Sequence, residues 1–303
     1  MRIATFNVHH GRTLGTDGRP VQPPGSVPPQ QPLADAVADL DVDVLALQEL
    51  DRYQERSGDV DQAQVAATAM GATDWRYASA LHGHAVLGVG WELDRDAPAL
   101  GVYGPDGAYG PNGVPAPSTA GSHGTALLTR RPVLEWRVRR LPGAPARLPL
   151  VVPGRRALTM VRDHARVAIA AVLKGEGARG PFTVVSTHLS FIPGWNAGQL
   201  AILHKWLADL PRPHVILGDL NLVGALPRTV LAGTGLVDGL TRRGPAGPRW
   251  HDLARTATYP AHRPLVQFDH VLAAGVPSSA VRVSSAPPSA ISDHRALVVE
   301  LSG

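Results

Sequence analysis

The chain has 303 residues, 44% hydrophobic and 18% charged, with a formal net charge of +4 and no cysteine. That length and balance supply one large core or two modest ones and exclude a disordered chain, while the missing cysteines exclude disulfides and thiolate zinc sites. Arginines fall in scattered pairs (Arg130-Arg131, Arg139-Arg140, Arg155-Arg156, Arg242-Arg243) without a long basic run, a distribution that tolerates a phosphate-bearing substrate but does not demand nucleic acid.

In chain order, the first element is a strand over Arg2–Val8. No charged leader with an apolar stretch precedes it, so no secretory signal is read and a cytoplasmic location is expected. A Gly/Pro-rich loop covers 11–32, a helix Leu33–Leu40, a strand Val42–Leu47 and a second helix Val60–Met70, stopped by Gly71. A second Gly/Pro-rich loop covers 104–122, followed by strands over Thr125–Thr129, Val167–Leu173 and Phe182–Thr187. In "NAGQLAILHKWLADL" (196–210), Asn196 and Gln199 have capping-box spacing, and Leu200, Leu203, Leu207 and Leu210 share one helical face before Pro211. Strands over Val215–Leu217, Phe268–Leu272 and Ala296–Leu301 complete the set. Strands mixed with helices over the whole length predict an α/β or α+β fold. The loops read as surface excursions from a single domain spanning 1–303, and no apolar run approaches the roughly 20 residues that cross a bilayer. A monomer is expected.

The strands end oddly. "ATFNVHHG" leaves Asn7 and His9 at its C-terminal end, and "VLALQELD" delivers Gln48 and Glu49. "FTVVSTHLS" delivers His188, and "HVILGDLNLVG" delivers Asp219 and Asn221. "VQFDHVL" carries Asp269 and His270, and "ISDHRALVVEL" puts Asp293 and His294 just before the last strand. Each has an ordinary reading as a turn, a cap, an ion pair or a satisfied core histidine. Repetition argues for a shared purpose, because a polar group at the edge of a packed sheet costs stability unless it is bonded, paired or bound to metal. Carboxylates, amides and imidazoles form a hard-oxygen set with histidines added, suited to Mg²⁺ or Mn²⁺ with substrate phosphate oxygens.

The ordered stretches "TFNVHHG", "LALQELD", "HGTALLTRRPV", "VVSTHLS", "ILGDLNLV", "TYPAHRPLVQFDHVL" and "SDHRALVVEL" resemble the endonuclease/exonuclease/phosphatase superfamily of deoxyribonuclease I-like phosphoesterases from residue 5 to residue 301. The resemblance implies a four-layered α/β sandwich, with two mixed sheets face to face and helices outside. It also implies an active site where the strand-end loops converge. The implied activity is divalent-metal-dependent hydrolysis of a phosphoester, as a phosphodiesterase or nuclease whose substrate includes nucleic acid among its candidates.

Carried over residue by residue, Glu49 resembles the principal metal carboxylate, with Asn7 and Asp293 near the metal or its waters. Asp219 resembles the residue that orients and deprotonates water, and Asn221 a ligand to phosphate or metal. His294 resembles the histidine on the scissile phosphate, with Asp269 polarising it, and His188 the second histidine of the deoxyribonuclease and sphingomyelinase branches. Gly218 would let the backbone approach the phosphate. Three further candidates are His9, where abasic-site endonucleases carry an acid; Arg166 in "DHARVAI", where His164 replaces the usual acid; and His123. The alternatives are a sphingomyelinase-like enzyme or inositol-phosphate phosphatase of the same fold, a catalytically silent binding module, and a zinc hydrolase built on "HGH" (82–84).

Overall fold

Strands buried on both faces leave the chain few places for polar side chains except at strand ends. In the computed structural model, which describes residues 1–22, 24–86, 90–109, 121–151, 158–177, 179–242 and 249–302, that condition governs the architecture. In chain order the strands are β1 (Arg2–Asn7), β2 (Val44–Arg52), β3 (Asp74–Val86), β4 (Gly90–Leu93), β5 (Gly101–Gly104), β6 (Gly107–Tyr109), β7 (Ser122–Thr129), β8 (Val133–Leu141), β9 (Arg147–Val151), β10 (Leu158–Arg162), β11 (Arg166–Leu173), β12 (Phe182–His188), β13 (His214–Asp219), β14 (Trp250–Asp252), β15 (Asp269–Ala274), β16 (Val281–Ser285) and β17 (Leu297–Leu301). The helices are α1 (Gln31–Ala38), α2 (Gln62–Met70), α3 (Trp195–Trp206) and α4 (Leu226–Arg242).

One sheet runs β16-β17-β1-β2-β7-β3-β5-β6, with β4 added on β3, and the other runs β14-β15-β13-β12-β11-β8. Both are mixed: β1 and β2 pair in parallel, as do β12 and β13, among antiparallel neighbours. Ile3, Val44, Ala46 and Leu127 of the first sheet pack against Val167, Ile169, Ala171, Val184, Val215 and Leu217 of the second. The alternate residues of the same strands face outward. Phe6, Leu45, Leu47 and Leu128 meet Leu33, Val37, Ala66 and Met70 of α1 and α2. Ala168, Val185 and Ile216 meet Leu200 and Leu203 of α3 and Leu231 of α4. The result is the expected α/β/β/α sandwich, and the double-sided burial explains why the central strands read as unbroken apolar runs.

Several features differ from the sequence reading. The capping box is absent: Gly194 caps α3, and Asn196 lies inside the helix. Its Nδ2 donates to the Asn221 carbonyl at 2.8 Å, while Gln199 Oε1 accepts from the Ser190 N–H at 2.7 Å. Both side chains therefore brace loops beside the strand ends. A Cβ on Gly218 would overlap the Thr187 carbonyl oxygen, so this glycine serves the close pairing of β12 with β13. The segment 104–122 is not all loop, since β5 and β6 form a hairpin there, though 110–120 lies outside the described residues. Among the described residues, no helix is long and apolar enough to cross a membrane.

Candidate active site

Strand register assembles the site. In the second sheet, His188 pairs with Asp219 and Asp219 with Asp269, so three polar residues stand side by side across β12, β13 and β15. In the first sheet, the parallel pairing of Asn7 with Gln48 sets Asn7 beside the next residue, Glu49. β17 runs antiparallel to β1, with Thr5 opposite Leu297. The Asp293-His294 segment leading into it therefore arrives at the end of β1 where Asn7 lies.

Glu49 does not sit in a turn, as the strand prediction ending at Leu47 implied. β2 continues to Arg52, and its register with β7 slips between Leu47 and Leu50. Glu49 occupies this bulge with φ 58°, the kind of irregularity that re-aims a side chain out of the ladder. His9 (φ 44°), His10 (φ 48°), Asn221 (φ 50°) and Ser292 (φ 70°) share the left-handed region. Non-glycine residues there cost of order 1 kcal/mol each and gather where function requires a fixed geometry.

At this end the Asn7 amide links carboxylates of both sheets. Asn7 Nδ2 donates to Glu49 Oε1 and to Asp219 Oδ2, both at 3.1 Å, and Asn7 Oδ1 accepts from the His9 N–H at 3.1 Å. Asp219 Oδ1 accepts from the Asn221 N–H at 3.0 Å. His188 Nε2 and His294 Nε2 lie 3.5 and 3.8 Å from Asp219 Oδ2. His294 Nδ1 is 2.8 Å from Asp269 Oδ2, which also accepts from Thr258 Oγ1 at 2.5 Å. The Tyr259 ring stands 5.0 Å from the His294 ring.

Burial and charge set the protonation states. Burial alone would lower His294, but the charge and hydrogen bond of Asp269, helped by Asp219 and Asp293, raise it to about 10. Burial also raises the Asp219 carboxyl, which the His294 charge opposes, to about 6. Burial and then the Arg166 charge push His188 well below its ordinary value, leaving it neutral near pH 7. Its surroundings agree: Arg166 Nη1 lies 3.3 Å from Nδ1 and Asn221 Nδ2 3.3 Å from Nε2, so donors face both ring nitrogens. The two histidines thus differ in charge although both touch the environment of one carboxylate.

A second cluster lies around Glu49. His9 Nδ1 is 3.5 Å from both Glu49 Oε2 and Asp293 Oδ1. Burial would raise the Glu49 carboxyl, but the His9 hydrogen bond and the charges of His188, His9 and His123 bring it well below its ordinary value. Ligand atoms of His9, His10 and Glu49 lie within 4.8 Å of one another. Burial pushes His10 down to about 3, so its ring is a neutral donor. One carboxylate, two imidazoles, the Asn7 amide and the half-exposed Asp293 fit a small divalent cation of the Mg²⁺ or Mn²⁺ class.

All the predicted residues can be placed. Asn7, Glu49, His188, Asp219, Asn221, Asp269 and His294 are joined by the contacts above, with His9 and Asp293 on the Glu49 side. Arg166 reaches His188, and its Nη2 is 3.5 Å from Asp163, the acid one position before His164. His123 stands one step outside: its Nδ1 is 2.7 Å from the fully buried Asp51, whose two oxygens also hold Arg56 at 2.7 and 2.8 Å. His82 and His84 of "HGH" are absent from the groups of clustered ligand atoms found among the described residues. Sequence reasoning missed His10, Thr258, Tyr259 and the Asp51–Arg56 pair. The doubled histidine of "HHG" was the one available signal, and the others depend on tertiary contacts alone.

Comparison with known proteins bears on family and fold. The sequence model of the endonuclease/exonuclease/phosphatase family matches residues 4–294. Comparison with curated protein sequences finds no significant match. Among solved structures, an endonuclease/exonuclease/phosphatase from Beutenbergia cavernae aligns with a TM-score of 0.56 at 19% identity, covering 100% of this chain and 72% of that one. The human nocturnin catalytic domain with bound sulfate aligns at 0.53 and 17% identity, covering 100% and 94%. A mannosyl-6-phosphatase of Bacteroides thetaiotaomicron aligns at 0.53 and 14% identity, covering 100% of both chains. At these identities the structures speak for the fold, and the family match extends over nearly the whole sequence. The chain belongs to the endonuclease/exonuclease/phosphatase family.

Proposed function

We propose that the protein is a divalent-metal-dependent hydrolase of phosphoester bonds, acting on phosphodiesters by in-line attack of water. The observation that carries this reading is the Asn7 amide held at 3.1 Å from both Glu49 and Asp219, which ties the ion-binding side of the site to the water-activating side.

In this reading Glu49, with Asn7, Asp293, His9 and His10 around it, would hold Mg²⁺ or Mn²⁺. When bound, the cation supplies positive charge to phosphate oxygens and lowers the pKa of water. Asp219, with its carboxyl raised to about 6, is close enough to working pH to accept a proton while remaining mostly ionised. Asn7 and the Asn221 N–H fix its two oxygens, so its orientation is set before substrate arrives. His294 stays cationic at neutral pH because Asp269 holds its Nδ1, and its Nε2–H is the donor offered to the charge that develops on phosphate oxygens. His188, neutral and flanked by Arg166 and Asn221, orients the phosphate by hydrogen bonding. Arg166 adds charge beside it, held by Asp163.

The test is hydrolysis of bis(p-nitrophenyl) phosphate with Mg²⁺ or Mn²⁺ and with excess chelator. Turnover should require the metal, and Asp219→Ala and His294→Ala should each abolish it while circular dichroism stays native. Full turnover in chelator, or wild-type rates in both variants, would defeat the reading.

A further inference from the structure

Three residues beyond Asn221, the chain borders a cavity of about 250 Å³ lined by Gly224, Ala225, Arg228, Asp252, Arg255 and Gln267. None of these belongs to the site described above. Two lining side chains carry buried polar atoms that have no hydrogen-bond partner: Asp252 Oδ1 and Arg228 Nε. The Asp252 side chain is only 2% exposed, and its other oxygen is engaged, 2.8 Å from His270 Nδ1. An orphaned carboxylate oxygen needs a donor, and an orphaned guanidinium N–H needs an acceptor. Each left unmet is a desolvation cost that a ligand with the complementary group removes.

The charge of the cavity selects the ligand's sign. His270 also has its Nε2 2.8 Å from the Leu222 carbonyl, so both ring nitrogens face acceptors, an arrangement that favours the protonated ring and offsets Asp252. Arg228 and Arg255 then remain as net positive charge. Helix α4 starts at Leu226, directly after the lining residues Gly224 and Ala225, and its first peptide dipoles also favour an anion. The occupant must therefore be an anion that nevertheless carries a hydroxyl donor for Asp252.

Few anions satisfy both demands. Sulfate has no proton at neutral pH. A phosphomonoester loses its second proton near pH 6 and so offers little P–OH at pH 7.5. Inorganic phosphate keeps at least one P–OH throughout this range, together with ionised oxygens. We propose that this cavity is a binding site for inorganic phosphate, whose P–OH donates to Asp252 Oδ1 and whose ionised oxygens accept from Arg228, with Arg255 contributing charge at the mouth.

The experiment is isothermal titration of the whole protein at pH 7.5 in excess chelator, with phosphate, sulfate and methyl phosphate as probes. One phosphate should bind per chain, and the other two anions should bind at least about tenfold more weakly, the margin of one buried hydrogen bond to a charged group. Arg228→Gln should weaken phosphate about tenfold or more, while Asp219→Asn leaves it within about twofold. Asp252→Asn should erase the preference for phosphate over sulfate. If that variant fails to fold, Arg255→Gln, altered at an exposed position, carries the test by lowering phosphate affinity in a folded protein. Absence of phosphate binding up to about 10 mM, equal binding of sulfate, or phosphate affinity untouched by Arg228→Gln and Arg255→Gln would overturn the proposal.

Discussion

Asn7 Nδ2 stands 3.1 Å from Asp219 Oδ2, a hydrogen bond between residues 212 apart in sequence that joins the ends of β1 and β13 across the two sheets. Because Asp219 is buried, this amide also stabilises its ionised form. Asn7→Ala removes a buried hydrogen bond to a charged group, worth about 1.5–3 kcal/mol. Phosphodiesterase kcat/KM should fall about 10- to 100-fold, and the pH at which activity rises on the acid side should move upward. A pH profile of kcat/KM for the two proteins measures both effects.

In the proposed mechanism Asp269 acts through His294, whose Nδ1 it holds at 2.8 Å. Asp269→Asn keeps the shape but takes away the charge that raises the imidazole to about 10. The alkaline limb of the rate profile should shift to lower pH, and kcat should fall by about 10²-fold or more, the scale of lost general acid-base or electrostatic assistance. An unchanged alkaline limb would show that His294 charge is not what the reaction uses.

His270 offers a pH test of stability away from the proposed metal ligands. Burial opposes its charge, but the Asp252 hydrogen bond and charge, with the Leu222 carbonyl, raise it above the ordinary 6.5. For a group raised in the folded state, the protonated form is the stabilising one. Its contribution is therefore complete below about pH 6.5 and is lost as pH rises through the native value. His270→Gln breaks a buried pair and should cost about 3–5 kcal/mol at pH 6. Urea denaturation at pH 6 and pH 9 should show the gap between wild type and variant narrowing at the higher pH. Leu222 is one residue from Asn221, so the variant should also lose kcat.

Two histidines beside Glu49 should show in metal choice. Imidazole suits Mn²⁺ better than Mg²⁺, which prefers oxygen and retains its waters. Mn²⁺ should bind more tightly, and His9→Ala or His10→Ala should reduce the ratio of Mn²⁺ to Mg²⁺ affinity by about tenfold. Direct titration of each ion into chelator-stripped protein measures the ratio, and equal ratios before and after substitution would remove the histidines from the ion site.

The central strands were legible because Val215–Leu217 or Val167–Leu173 bury both faces and admit almost no polar letters. β3 and β8 were not. β8 presents its charged side chains to solvent at a sheet edge, and β3 runs 13 residues through Ser79, His82 and His84 with little β-branched character. α4 was hidden by Gly233, Gly235 and Gly239, each costing about 1 kcal/mol of helix propensity, and it is held by tertiary contacts such as that of Leu231 with the second core layer. In the site, residue types at strand ends could be read from the letters. The bulge that aims Glu49, the different protonation states of His188 and His294, and the Asp163 support of Arg166 could not, because each depends on a neighbour distant in sequence or on the burial that the fold creates.

The most direct measurement is a double-mutant cycle on kcat/KM between the two sheets, using Glu49→Gln, Asp219→Ala and the double variant on the same phosphodiester. Groups that serve one reaction centre are strongly non-additive, so the double variant should be no slower than the worse single one. Losses that multiply, or substantial turnover in either single variant, would contradict a shared centre built from the ends of both sheets.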